Sequence, residues 1–252
     1  VFEDQSFSIP VDQIECRVFG NFQLSEAVEE TRKANWEALL IKNSAAFDGA
    51  LLRMADHRIE DGRLIVGANS TSFSAYVATR HPRFGDRHPH AARADPLGMT
   101  AVVLTADDGV IVTKRSLSAD QNPGGLYLIG GYAEPGKGSD TVDLFQEVAR
   151  EIAEEIAVSD LTRSASFAIG LAYDPVFCHP ELFLLTVSKT SAADILKGAQ
   201  NAPDRNEAAQ LLAYPLRDVL DEGGPLANAP KTWSFVKARD FLRQHLLASG
   251  SI

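Results

Sequence analysis

Between Arg150 and Val158 the chain reads Arg-Glu-Ile-Ala-Glu-Glu-Ile-Ala-Val, which puts the carboxylates of Glu151, Glu154 and Glu155 within five residues. Asp143 and Glu147 precede them at the same spacing. On a helix, Glu147/Glu151, Glu151/Glu154 and Glu151/Glu155 would set like charges one turn apart, costing about 0.2 to 0.5 kcal/mol per pair. Arg150 lies three residues after Glu147 and four before Glu154, so one cation offsets only part of an excess of roughly 1 to 2 kcal/mol. A hard divalent cation would neutralise the rest, and Mg²⁺ characteristically takes a few carboxylates together with water and substrate phosphate. The chemistry implied is metal-assisted hydrolysis at phosphorus, in which the ion bridges phosphate oxygens and activates a water.

The elements that must position these groups are legible around them. From about Thr141 to Val158, Phe145, Val148, Ala149, Ile152 and Ile156 recur at steps of three and four, the signature of one buried helix face. Asp143, Glu147, Glu151, Glu154 and Glu155, with Arg150, are expected on the opposite side. An ordinary surface helix also carries charge on its wet side, so it is the single sign of the charge that argues for a metal. Upstream, the strand-like run Leu126-Tyr127-Leu128-Ile129 leads into Gly130-Gly131, where missing side chains let backbone approach a ligand. Gly131-x4-Gly136-Lys137 imitates a P-loop, but Gly138 follows in place of the metal-binding hydroxyl and Glu134-Pro135 would repel phosphate, so that reading is set aside.

Strand, glycine turn, loop and acidic helix in this order resemble the Nudix box, Gly-x5-Glu-x7-Arg-Glu-U-x-Glu-Glu-x-Gly-U with U aliphatic. The second half is matched from Arg150 to Val158, with Ala157 in place of the late glycine. In the first half Gly131 is the opening glycine, Lys137 stands where the motif has glutamate, and the step to Arg150 is five residues longer. The resemblance implies that Glu151, Glu154 and Glu155 hold Mg²⁺ (or Mn²⁺ in its place), helped by a backbone carbonyl near Gly131, and that Arg150 has lost its usual glutamate partner.

Further landmarks are similar to the UDP-glucose/UDP-galactose pyrophosphatase subfamily. They are Asp95-Pro96-Leu97-Gly98, Thr105-Ala106-Asp107-Asp108, Lys114-Arg115-Ser116 and Gly130-Gly131-x-x-Glu134-Pro135, together with the Trp36 segment, Leu64-Ile65-Val66 and Thr71-Ser72-Phe73. That likeness implies hydrolysis of a UDP-hexose to UMP and hexose 1-phosphate. Arg150, Glu151, Glu154 and Glu155 would be catalytic, and Arg115, Gly130, Gly131, Thr71, Phe73 and Arg80 would face the substrate. Glu181 or Glu207 would add a carboxylate for metal or water, although each also reads as an exposed strand-end glutamate. Two alternatives stand beside this reading: the same chemistry on ADP-ribose or another nucleoside diphosphate derivative, and a nucleotide-binding module without turnover.

A formal charge of −10 opposes general binding to nucleic acid or an anionic membrane, leaving a small nucleotide as the expected partner. Two cysteines, Cys16 and Cys178, are too few for a disulfide framework, and no apolar stretch is long enough to span a bilayer, so a cytoplasmic location is expected. Arg80, Arg83, Arg87 and Arg93 with His81, His88 and His90 form a basic, proline-punctuated loop, solvated or in contact with phosphate rather than zinc-binding.

Strands are expected at 14–22, 50–59, 63–68, 99–105, 110–114, 166–172, 182–187 and, more weakly, 207–214, with Asp61-Gly62 and Asp107-Asp108-Gly109 as hairpin turns. Helices are expected at about 25–43, after Ser72, and at 231–248. Together these make a mixed sheet between helices, an α/β/α sandwich, with residues 1–94 an N-terminal α/β extension and 95–252 the catalytic domain.

Overall fold

A computed structural model describes residues 3–117, 123–136, 138–205 and 209–251. In chain order come β1 (Gln5–Pro10), β2 (Ile14–Asn21), α1 (Glu26–Lys42), β3 (Ala50–Glu60), β4 (Arg63–Ser72), α2 (Phe73–Thr79) and α3 (Phe84–Arg87). Then follow β5 (Gly98–Leu104), β6 (Gly109–Lys114), β7 (Leu126–Tyr127), β8 (Ile129–Tyr132), β9 (Thr141–Val142) and α4 (Leu144–Ile156). The chain continues with β10 (Phe167–Asp174), β11 (His179–Val187), α5 (Ala192–Gly198), β12 (Gln210–Pro215), α6 (Leu216–Leu220) and α7 (Trp233–Ser249).

The main sheet runs β1-β10-β11-β5-β6-β12, with β8 paired to β5 and β7 to β6. Only β11 and β5 are parallel within it among the described residues, in the register Glu181 to Gly98. Its central strands are apolar on both faces because both are covered. Met99, Ala101, Val103, Leu182 and Leu184 share a core with Val148, Ile152 and Ile156 of α4. The alternate residues Val102, Phe183 and Leu185 pack with Phe235, Ala238, Phe241 and Leu242 of α7. Helix, sheet and helix therefore form three layers, as the pattern of elements predicts.

Three strands of the N-terminal region, joined by β9, make a second sheet, β3-β4-β2-β9. Asp61 and Gly62 take the left-handed conformation, with φ of 51° and 73°, as a tight β3–β4 hairpin requires. Leu52, Leu64, Val66 and Ala68 join the same core as α4. Two strands cross position 94/95: β1 edges the main sheet against β10, and β9 pairs with β2 in the smaller one. Neither β1 nor β9 carries a pattern long enough to announce itself.

The basic stretch is more ordered than a solvated loop. It contains α3, and Arg93 donates to the carbonyls of Thr79, His81 and Pro82 while lying 5.1 Å over the Phe84 ring. Among the described residues, no helix is long and apolar enough to cross a membrane.

Candidate active site

Helix α4 begins three residues later than its apolar spacing suggests. Thr141 and Val142 are spent on β9, and Asp143 caps the helix, its side chain accepting from Phe145 N at 3.0 Å and Gln146 N at 3.1 Å. Asp143 therefore leaves the acidic face and pairs with Arg163. The remaining acids do not share one wet side either. At about 100° per residue, Glu155 lies about 60° from Ile152, next to Val148, and its side chain is buried. One carboxyl oxygen faces Gly130 N at 3.4 Å. Glu151, one turn earlier, lies against the second glycine: a Cβ on Gly131 would stand 2.5 Å from its carboxyl carbon and 2.6 and 2.7 Å from its oxygens. Glycine is required at Gly131 because the carboxylate occupies the space a side chain would fill.

Arg150 binds the rest of the acidic face. Its guanidinium reaches Glu154 at 2.7 Å, Glu151 at 2.8 Å, Glu147 at 3.4 Å and, from the preceding loop, Glu134 at 3.7 Å. Burial opposes its charge, yet these four carboxylates raise its pKa above the ordinary value.

Beside the glycine turn a cleft of about 230 Å³ is lined by residues that include Arg115, Gly130, Gly131, Glu155 and Glu181. Glu181 is buried and receives a hydrogen bond from the Thr100 hydroxyl. Burial pushes its pKa up to about 7, against the pull of that hydrogen bond, and no lysine or arginine pairs with it among the described residues. A buried carboxyl in this state gains most from a nearby cation. Arg115 lies 4.9 Å over the Tyr127 ring, and its Nε is buried without a hydrogen-bond partner among the described residues. Buried donors of this kind are costly unless something accepts from them.

The same cleft holds a cluster that the helix motif does not include. Asp174 and His179 are cross-strand partners where β10 turns into β11, and Glu181 follows His179 by two, so all three share one sheet face. Their potential ligand atoms lie within 4.8 Å of one another, and all three residues are buried. Gly98, opposite Glu181, makes room for them: a Cβ there would lie 2.9 Å from the His179 ring. The alternation His179-x-Glu181 after Asp174 was the available sequence signal for this cluster.

No family model matches the chain. Over 228 residues it is 22% identical to Nudix hydrolase 9 of Arabidopsis thaliana, covering 76% of this chain and 73% of that protein. It is 31% identical over 137 residues to the uridine diphosphate glucose pyrophosphatase of Bos taurus, covering 48% of this chain and 46% of that protein. The corresponding Homo sapiens protein is 30% identical over 125 residues, covering 44% and 41%. The chain thus spans less than half the length of these two pyrophosphatases. With the carboxylate of Glu151 packed on Gly131, these likenesses point one way. The chain is similar to the Nudix hydrolases.

Its architecture is an α/β/α sandwich with an N-terminal α/β extension. Among solved structures it is similar to the MutT protein of Methanosarcina mazei Go1 (17% identity, 61% of this chain and 94% of that chain, TM-score 0.41). It is also similar to a Nudix hydrolase of Alicyclobacillus acidocaldarius (16% identity, 57% and 89%, TM-score 0.44).

Measured against the Nudix box, Glu134 approaches Arg150 from the loop where the motif's first glutamate is replaced by Lys137, a position outside the described residues. Ala157, in place of the late glycine, adopts the left-handed φ of 57° that a glycine would take freely. Glu207 also lies outside the described residues.

The structure brings Arg115, Gly130, Gly131, Glu155 and Glu181 into one cleft, with Glu151 on its glycine wall, while Glu154 is held on Arg150. Thr71 lines a different cleft with Phe22 and Arg32, and Phe73 packs against Trp36 and Tyr76. Arg80 lines a third, of about 440 Å³, with His81, Arg87 and His88, which touches the main cleft at Phe177.

Proposed function

We propose that this chain is a Mg²⁺-dependent pyrophosphohydrolase that cleaves a UDP-hexose, UDP-glucose or UDP-galactose, to UMP and hexose 1-phosphate. The observation that carries the reading is the convergence of Glu151, Glu155 and Glu181 on the Gly130-Gly131 turn beside the partnerless Nε of Arg115. The donor set is hard oxygen, and the raised proton affinity of buried Glu181 marks a place where positive charge is missing, so the residues fit Mg²⁺. Glu151, Glu154, Glu155 and Glu181, with the carbonyl of Gly131, would hold the ion. When bound, Mg²⁺ supplies charge to the phosphate oxygens and lowers the pKa of a water.

The chain's own groups do the positioning. Arg115, stacked on Tyr127, presents its guanidinium to the diphosphate. Thr100 fixes the orientation of the Glu181 carboxyl. Trp233 forms an aromatic wall of the cleft, suited to one face of a sugar or base. Arg150 gathers the acidic side chains and must release Glu151 and Glu154 as the metal enters. Water adds to one phosphorus as the bridging phosphorus–oxygen bond breaks, so both products leave as phosphate monoesters. The N-terminal extension, residues 1–94, borders the cleft through Tyr76, whose hydroxyl bonds Phe177 O and the ring of His179, and we assign it a part in closing the substrate site.

The subfamily likeness favours UDP-sugars, since the Bos taurus and Homo sapiens relatives are named for UDP-glucose. The test is a panel of UDP-glucose, UDP-galactose and ADP-ribose with Mg²⁺, followed by release of hexose 1-phosphate. Turnover of UDP-hexoses that falls by several orders of magnitude in Glu155→Gln is the expected result. Preferential turnover of ADP-ribose would move the substrate assignment, and ligand-induced thermal stabilisation without product would make the chain a binding module.

A further inference from the structure

The turn from β10 to β11 holds a group of side chains that the helix-borne carboxylates leave unexplained. Cys178 takes a left-handed φ of 55°, which closes the turn and brings Asp174 opposite His179. Asp174 Oδ1 accepts from Val176 N at 2.7 Å and Phe177 N at 2.9 Å, so this carboxylate is fixed by backbone and its other oxygen is not engaged in that turn.

The hydrogen bonds around Tyr76 favour one tautomer of His179. The Tyr76 hydroxyl donates its proton to Phe177 O at 2.8 Å, and its oxygen lies 3.2 Å from His179 Nδ1. With that proton directed to Phe177 O, Nδ1 is assigned as the donor, and Nε2 is left with a bare lone pair. Nε2 points into the cluster, 3.7 Å from Glu181 Oε2, too far for a hydrogen bond. A lone pair and two carboxylates thus face one another in a buried space, with no lysine or arginine paired to Glu181 or Asp174 among the described residues. Such an arrangement is unfavourable unless a proton or a metal cation occupies its centre.

We infer that Asp174, His179 and Glu181 form a binding site for a first-row transition-metal ion, with His179 Nε2 as its nitrogen ligand. The 3.7 Å between Nε2 and Oε2 is close to the edge of a coordination tetrahedron, roughly 3.4 Å for bonds of about 2.1 Å. Tyr76 supplies the outer contact that metal-bound histidines need, fixing ring orientation through Nδ1. An imidazole suits ions that tolerate nitrogen and disfavours Mg²⁺, which takes oxygen ligands. The site is therefore chemically distinct from the all-oxygen set on α4, although Glu181 lies between the two. It deepens the proposed reading, because the same cleft would hold both ions, but its ligands come from a strand pair outside the box.

The test uses the full chain, stripped of metal by chelation and then given one equivalent of Mn²⁺ in a background of excess Mg²⁺. Pulsed EPR should show the nitrogen of a coordinated imidazole in the wild type, in Glu151→Gln and in Glu154→Gln, and should lose it in His179→Gln. Asp174→Asn retains an oxygen to accept from Val176 and Phe177, and Tyr76→Phe removes the acceptor for Nδ1. Each should weaken Mn²⁺ binding about 10- to 100-fold. Absence of nitrogen coupling in the wild type, or its survival in a folded His179→Gln variant, overturns the inference. If His179→Gln does not fold, Asp174→Asn decides, and unchanged Mn²⁺ affinity there overturns it. UDP-hexose hydrolysis without nitrogen coupling would leave the proposed function standing and remove this site, whereas coupling without hydrolysis would do the reverse.

Discussion

Replacing Arg150 with methionine keeps most of the apolar stem and removes the cation at the centre of the acidic face. Four carboxylates lie within 3.7 Å of its guanidinium, two of them at helical spacing in the same helix. Loss of the Glu147 and Glu154 pairs costs about 0.2 to 0.5 kcal/mol each, and loss of the contacts with Glu151 and Glu134 adds a similar amount each. The side chain of Arg150 is 33% exposed, so solvent screens part of this, and the total is about 1 to 2 kcal/mol. Under the proposed function, Arg150 also competes with the metal for Glu151 and Glu154. The metal-free variant should therefore be less stable than wild type by about 1 to 2 kcal/mol at low ionic strength. Saturating Mg²⁺ should narrow the gap, because the ion binds the freed carboxylates more readily than in the wild type. Urea unfolding with chelator, with Mg²⁺ and with added NaCl measures all three. A deficit that is the same in every condition would refute the reasoning, because it would mean that Arg150 acts by packing and the acidic face does not gather a cation.

Other expectations follow from single contacts. Gly131→Ala should displace the Glu151 carboxylate, raising the half-saturating Mg²⁺ concentration for hydrolysis about tenfold or more while the unfolding midpoint moves little. A raised midpoint requirement for UDP-hexose with unchanged Mg²⁺ demand would count against that role. Ala157→Gly relieves a left-handed alanine at the end of α4 and should stabilise the chain by about 1 kcal/mol in urea unfolding. His245 is buried with its Nδ1 2.8 Å from Ser8 Oγ, and burial lowers its pKa below the ordinary 6.5. The unfolded chain then takes up the proton first, so this residue's contribution to stability is lost as pH falls below about 6.5. His245→Gln should accordingly show a smaller drop in urea midpoint between about pH 7.5 and about pH 5.5 than the wild type.

Much of the architecture was legible because it is written in short range. The Asp61-Gly62 hairpin, the apolar stripe of α4, the strands β5, β6, β10 and β11 and the terminal helix α7 all stand close to where periodicity and turn residues put them. So does α2, where Ser72 caps the helix by accepting from Ala75 N at 3.3 Å. The acidic run and the glycine pair also fixed where carboxylates would meet backbone. These signals are local, since each depends on residues within a turn or two of one another.

Only tertiary structure decided which carboxylates face the cleft. Glu155 is buried against the Gly130 turn although its charge suggests a wet position, because the rotation of α4 is set by Val148 and Ile152 against the sheet. The six residues of β1 and the two of β9 find their partners 150 or more and over 120 positions away in the chain, pairings that no local pattern can specify. The meeting of Asp174, His179 and Glu181 under Tyr76 likewise required a left-handed turn at Cys178 and a hydroxyl from a helix about 100 residues earlier. Residue type and spacing suggested the chemistry proposed for this chain, and long-range packing chose which of those side chains stand together.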